Sequence, residues 1–308
     1  MALAEMKHEA FLKIGDPVFA QQLMNGLMLG GIYALVAVSF TLTIGILNFL
    51  NFSIPALFML GGVVSCALLA AGVPAVGAAA GALAATGLAS LLVERCTFRW
   101  LSTSDPHIPL VSSLGFLIFF ENLVLVYFGS DAVGYPSPFA RASVKVSDLT
   151  VSLPQTGGFL LALVLVALCY VLLKYTKLGR GLRSIAESPA IAEMLGVKVG
   201  WTVSSVYLVS GLLAGIGGIL FGISYLQVSW DMGSEVALKG VSAMVLGGMG
   251  NVWGAVLGAL IIAVIEVMTI AYLNSEAVNV FVYGLLLVII AFCPRGLLGD
   301  RVKMAERM

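Results

Sequence analysis

From Pro17 to Val93 the sequence contains no Asp, Glu, Lys, Arg or His. An uncharged run of that length has room for three membrane crossings at about 20 residues each, whereas a helix on a soluble core sets a charged face against an apolar one. The whole chain agrees: it is 60% hydrophobic and 10% charged, with a mean hydropathy of +1.06, more apolar surface than one water-soluble core can hide. The expected fold class is therefore an all-α polytopic membrane protein. The first residues, MALAEMKHEAFLKIGD, mix both signs of charge and lack a small-residue cleavage site. They read as a cytoplasmic segment over 1–18 and not as a signal peptide. A net charge of zero, with no basic tract outside loops, offers nothing to nucleic acid, so lipid is the expected surrounding. Cys66, Cys96, Cys169 and Cys293 lie far apart in or beside apolar spans. They read as small buried hydrophobes and not as metal ligands or a disulfide framework.

Hydropathy places eight full spans near 19–38, 54–71, 75–94, 109–128, 158–175, 201–223, 252–273 and 277–293. Lys174, Lys177, Arg180, Arg183 and Lys198 put the segment 176–200 in the cytoplasm, as Arg95 and Arg99 do for the loop after the third span. Arg295, Arg301, Lys303 and Arg307 place the tail 294–308 inside as well. The loop 129–157 is then external, and its YPSPFARASVKVSDLTVSLP has turn residues followed by alternation, the pattern of a short hairpin.

With a cytoplasmic N-terminus, parity fails twice. One inward crossing is missing between residues 39 and 53, where the chain reads SFTLTIGILNFLNFS, and one between 224 and 251, where LKGVSAMVLGGMGNVWG carries Gly247, Gly248 and Gly250. Both stretches are too short or too interrupted for complete helices, so the expectation is two broken, re-entrant elements in two pseudo-repeated units, 19–94 and 201–293, joined by the middle spans of 95–175. Paired broken segments point to a transport path near the midplane. Asn48, Asn51 and Pro55 in the first break are expected to help line it.

Glycines four apart, such as Gly26 with Gly30, Gly211 with Gly215, and Gly250 with Gly254 and Gly258, put small residues on one helical face for close packing. No GxxxxGK[ST] occurs, so ATP, if used, is bound elsewhere. The two histidines, His8 and His107, lie outside the spans and leave an intramembrane enzyme without parts. Glu121 and Glu266 fall within spans, where an acid either serves function or is bonded to a neighbouring helix. Asp231, Glu235 and Lys239 read as an external approach to the second break, solvated or meeting a soluble partner.

The cytoplasmic loop GRGLRSIAESPAIAEMLGVKVG carries a helix signal: Ser188 as N-cap, Pro189 in the first turn, an apolar side of Ala190, Ile191, Met194 and Leu195, and Gly196 as terminator. A short amphipathic helix of this kind suits docking in a groove of another protein. LGRGLRSIAESPAIAEMLGV resembles the coupling segment of ABC importer permeases, and in particular the branched-chain amino acid permease family. NGLMLGGIYALVAVSFTLTIG, VSAMVLGGMGNVWGAVLGALIIAVIE and FVYGLLLVIIAFCPRGLLG resemble the same family, in its LivH type, in order along nearly the whole chain.

The resemblance implies an inner-membrane importer subunit that pairs with a second, LivM-type permease, two ATPase subunits that hold ATP and Mg, and a periplasmic substrate-binding protein. By position, Arg183, Glu187, Ala190, Glu193 and Gly196 would belong to the coupling helix, and Asn48, Asn51, Ser53, Gly247, Gly248, Gly250 and Asn251 to the broken elements around the path. The chain departs from the family where members commonly read NFAHGE: residues 51–56 are NFSIPA. That leaves the solute open among branched-chain and other amino acids, carboxylic acids, urea and amides. A self-sufficient channel or secondary carrier is the other reading, although a carrier would be expected to place acids near its site and the first break has none.

Overall fold

In a computed structural model, residues 17–47, 49–99, 107–136, 143–146, 149–293 and 296–299 are described. Among the described residues eleven α-helices follow in order: α1 Pro17–Leu47, α2 Ile54–Ala70, α3 Ala75–Glu94, α4 His107–Phe128, α5 Leu153–Tyr175, α6 Lys177–Glu187, α7 Pro189–Met194, α8 Val199–Tyr225, α9 Met232–Gly247, α10 Val252–Tyr272 and α11 Val278–Phe292. Seven helical stretches among the described residues are long and apolar enough to cross a membrane, and α2 is a shorter apolar helix. All eight expected spans thus have a helix, and the all-α polytopic class holds.

The expected break over 39–53 takes another form. α1 is one helix of 31 residues, roughly 45 Å long. The letters that suggested a break, Ser39, Thr41 and Thr43, satisfy themselves inside it. Ser39 Oγ donates to the Leu35 carbonyl at 2.8 Å, Thr41 Oγ1 to Ala37 at 2.7 Å and Thr43 Oγ1 to Phe40 at 2.9 Å. Such back-bonding lets hydroxyls sit in an apolar helix without interrupting it. Six residues separate the end of α1 from the start of α2, and no crossing is missing. Gln22 and Asn25 of α1 line one cavity with Gln155 at the start of α5 and Tyr225 at the end of α8, so α1 starts at the end of the bundle opposite α6 and α7. The parity mismatch arose from starting the first span at the end of the bundle that carries the basic loop.

The second break is present as α9, which at 16 residues is too short to span. Before it the chain makes a two-residue strand, β4 (Gln227–Val228), paired antiparallel with β1 (Val133–Gly134) of the 129–157 loop. Tyr135, next to β1, donates its hydroxyl to Ser65 Oγ at 3.0 Å, and burial raises its phenol above the ordinary range. The hairpin expected in this loop is formed by β2 (Ser143–Val146) and β3 (Leu149–Ser152), again antiparallel.

α1 and α8 make the centre. Tyr33, Leu35, Val36, Ala37, Val38 and Phe40 are buried, as are Tyr207 and Ala214. α2 crosses α8 at glycines. A Cβ on Gly218 would lie 1.8 Å from the Phe58 carbonyl oxygen and one on Gly61 2.3 Å from that of Gly215, so the two backbones touch. α4, α5 and α11 expose rows of large apolar side chains, among them Ile118, Phe119, Leu160, Val164, Leu287 and Phe292. They form the outer, lipid-suited layer.

The helix contact gives a test. Gly218→Ala forces backbone apart and is expected to cost about 1–3 kcal/mol, read as a lower unfolding midpoint in detergent. Gly115→Ala, with nothing within 4 Å of the new methyl, should leave the midpoint unchanged. Equal midpoints for the two variants would remove the α2–α8 backbone contact as a determinant of stability.

Candidate translocation and coupling site

The two candidate regions lie at the breaks and in the loop between α5 and α8. In the loop, Thr176 caps α6 by accepting from Gly179 N–H at 3.3 Å, and α6 turns Leu182 and Ile185 inward. Arg183 is exposed and donates through Nη1 to the Leu173 carbonyl at 2.9 Å, tying α6 back to the end of α5. α7 is built as its letters indicate. Ser188 Oγ accepts from Ile191 N–H at 3.5 Å, Pro189 sits in the first turn, and Gly196 closes the end at φ 81°, a conformation natural to glycine.

Only Ala192 of α7 is buried. Ile191, Met194 and Leu195 are 59%, 87% and 73% exposed, and Glu187, Ala190, Glu193 and Gly196 are exposed beside them. α7 is therefore a short helix with an exposed apolar outer side, next to basic α6.

At the first break Asn48 lies outside the described residues. Asn51 is fully buried, and its Oδ1 accepts from Ser53 N–H at 3.1 Å and Ser53 Oγ at 2.7 Å. This short turn lets α2 start, while Asn51 Nδ2 is buried without a partner among the described residues. Phe52 N–H donates to Ser113 Oγ of α4 at 3.0 Å. Ile54, Pro55 and Ala56, the departure from the family pattern, are buried in the start of α2. Proline costs nothing there, because a first-turn N–H has no helical acceptor.

At the second break Gly248 and Gly250 have φ of 109° and 90°, so the doublet and its neighbour are a true turn. Asn251 caps α10: its Oδ1 accepts from Trp253 and Gly254 N–H at 3.1 and 3.2 Å. Its Nδ2 donates to the Leu298 carbonyl at 2.9 Å. Leu297 and Leu298 N–H in turn donate to the Leu246 and Gly247 carbonyls at 2.8 and 2.9 Å. Gly247 lies on Gly254, where an added Cβ would be 2.0 Å from the carbonyl oxygen.

The structure brings the two breaks together through the short helices. α9 begins against the start of α2, where a Cβ on Gly233 would be 2.3 Å from the Pro55 carbonyl oxygen. It ends near the foot of α1, where one on Gly45 would be 3.4 Å from Gly250 Cα.

The reading of Lys239 as part of an external approach needs correction. Lys239 is buried in α9 and pairs with Glu266 of α10, Nζ to Oε1 2.5 Å. Tyr33 of α1 donates to Glu266 Oε2 at 2.8 Å, and Lys239 Nζ reaches Tyr33 Oη at 3.3 Å. Glu121 likewise has a helix partner, accepting from Ser234 Oγ of α9. A signal for the Lys239 pair was available: a lone lysine among Val236, Ala237, Gly240 and Val241 lies inside an apolar helix, and Glu266 was the opposite charge at comparable depth.

Comparison with known proteins places this geometry. The family described as branched-chain amino acid transport system / permease component matches residues 22–291. The high-affinity branched-chain amino acid transport system permease protein LivH of Salmonella typhimurium is 31% identical over 295 residues, covering 91% of this chain and 96% of that protein. LivH of Escherichia coli K12 is 30% identical over 294 residues with the same coverage. BraD of Pseudomonas aeruginosa, described in the same terms, is 28% identical over 294 residues, again covering 91% and 96%. No solved structure matches. With the family match covering residues 22–291, the chain belongs to the branched-chain amino acid transport system permease family, as an importer's membrane subunit of the LivH type.

Proposed function

We propose that this permease imports small solutes of amino-acid size, branched-chain amino acids first among them, across the bacterial inner membrane by alternating access. The printed names of LivH and BraD support that solute class. Energy comes in trans: two ATPase subunits bind ATP and Mg and dock on α7, with Arg183, Glu187, Ala190, Glu193 and Gly196 framing the contact. A periplasmic binding protein delivers the solute at the opposite end of the bundle, and a second permease of the LivM type completes the pathway. The basic α6–α7 end faces the cytoplasm, which puts the start of α1 outside. The single observation that carries this reading is the outward apolar face of α7, 59–87% exposed at Ile191, Met194 and Leu195.

The turns at the two breaks are where the path is expected to open, since Asn51, Ser53, Gly247 and Gly248 are buried where helices end, with the more exposed Gly250 and Asn251 completing the second turn. Short helices with positive-φ glycines can rotate about their turns without loss of their internal hydrogen bonds.

Two tests follow from these placements. Ile191→Asp combined with Met194→Asp should leave membrane levels unchanged, because both side chains are exposed, and should reduce co-purified ATPase at least tenfold; undiminished recovery of the ATPases would reject docking at α7. Asn51→Leu leaves Ser53 N–H buried without an acceptor, a cost of about 1–3 kcal/mol, and should lower solute uptake while ATPase association stays intact. Wild-type uptake kinetics in that variant would take Asn51 out of the path.

A further inference from the structure

α9 meets its neighbours through unusually smooth surfaces. Gly233 lies on the Pro55 carbonyl, Gly240 on Val36 of α1, Gly247 on Gly254, and Gly258 of α10 on the Ala243 carbonyl. Interlocking side chains resist sliding of one helix past another, and at these glycines the backbone meets its neighbour with no side chain of its own between. Apolar burial is also non-directional, so it stabilises α9 in several positions almost equally. Something else must select one.

We propose that Lys239 and Glu266, with Tyr33, are positioning residues that pin the register of α9 on α1 and α10 and thereby fix where the Gly247–Asn251 turn sits. The three side chains close a ring. Nζ of Lys239 donates to Glu266 Oε1 at 2.5 Å and to Tyr33 Oη at 3.3 Å, and Tyr33 Oη donates to Glu266 Oε2 at 2.8 Å. Lys239 Nζ also lies 5.7 Å from the centre of the Tyr33 ring. Three helices meet in this ring, and both charged side chains are 8% exposed.

A shift of α9 by one residue would carry Lys239 about 1.5 Å along the axis and turn it by about 100°, parting charges that have no water to replace the lost partner. Stability alone is a poor reason for such a pair, since well-packed apolar residues of similar volume often serve as well or better. Selecting one register is a task the pair is suited to, since of the directional contacts on α9, which include Ser234 with Glu121 and the Leu246 and Gly247 carbonyls with Leu297 and Leu298, it is the buried, charged one joining three helices.

The experiment measures register directly and needs no solute. Spin labels are placed at exposed Leu238 of α9 and Leu257 of α10, 57% and 44% exposed, after Cys66, Cys96, Cys169 and Cys293 are replaced. The permease is kept in its complex with its partner subunits in lipid nanodiscs, and label–label distances are recorded by pulsed electron resonance. The otherwise native protein should give one narrow distribution. Lys239→Met/Glu266→Met should give a broadened or multi-peaked one at unchanged membrane levels, and the charge-reversed Lys239→Glu/Glu266→Lys should return the single narrow peak. A narrow, unshifted distribution in the apolar pair would overturn the proposal and leave the ion pair an energetic contact only. Should the apolar pair fail to accumulate, the charge-reversed variant decides alone: the native distance supports the pin and a broad distribution rejects it. None of these readings depends on which solute is carried or on how the ATPases dock.

Discussion

Inside a bilayer no water is at hand to satisfy a backbone N–H or C=O, so a helix can stop there only where another part of the protein takes over its last polar groups. The rest of this structure depends on how that constraint is met at the ends of α2, α9 and α10. Asn51 and Ser53 bond to each other ahead of α2, and Asn251 receives two N–H groups of α10. The chain beyond α11 returns to bond the last carbonyls of α9 through Leu297 and Leu298. Each is a polar contact that a uniform stack of spanning helices would not need. They let the 17-residue α2 begin and the 16-residue α9 end with their terminal polar groups bonded to other parts of the protein.

The distribution of polarity tells the same story from two sides. At bundle depth, where charge is costly, Lys239 and Glu266 are retained and fully partnered. In the α5–α8 loop, where charge is cheap and abundant, α7 instead turns Ile191, Met194 and Leu195 outward. Both arrangements run against the local solvent, and both sit on short helices. Stability alone would have had simpler solutions at each place; at α9 the inversion joins three packed helices, and at α7 it is the surface on which the proposed docking rests.

Much of this was legible in the letters. Hydropathy located all eight spans, alternation located the β2–β3 hairpin, and Ser188, Pro189 and Gly196 delimited α7 because caps are local chemistry. The misreading of α1 was a confusion of polarity with discontinuity: Ser39, Thr41 and Thr43 look disruptive as residues but bond to carbonyls one turn back. The contacts that could not be read are those made at a distance. Lys239 finds Glu266 across 27 positions and Tyr33 across 206, and Asn251 finds Leu298 across 47. No periodicity encodes such pairings; they exist only once the helices are packed.

Ile54, Pro55 and Ala56 show what the departure from the family pattern does physically. Ile54 and Ala56 are 0% exposed, so in this conformation they line no open passage. Their side chains fill the start of α2, and the backbone at Pro55 is close enough to α9 that only glycine fits at position 233. Polar side chains in the same place would require partners or water, and would hold α9 further off. An apolar start to α2 therefore goes with a tightly seated α9. A solute passing the start of α2 would require α9 to withdraw, and since apolar contact there is non-directional, the position to which α9 returns is set elsewhere along it, at the ring of Lys239, Glu266 and Tyr33. The contact of Gly233 with the start of α2 and the buried charge at Lys239 in this way lie on one short helix.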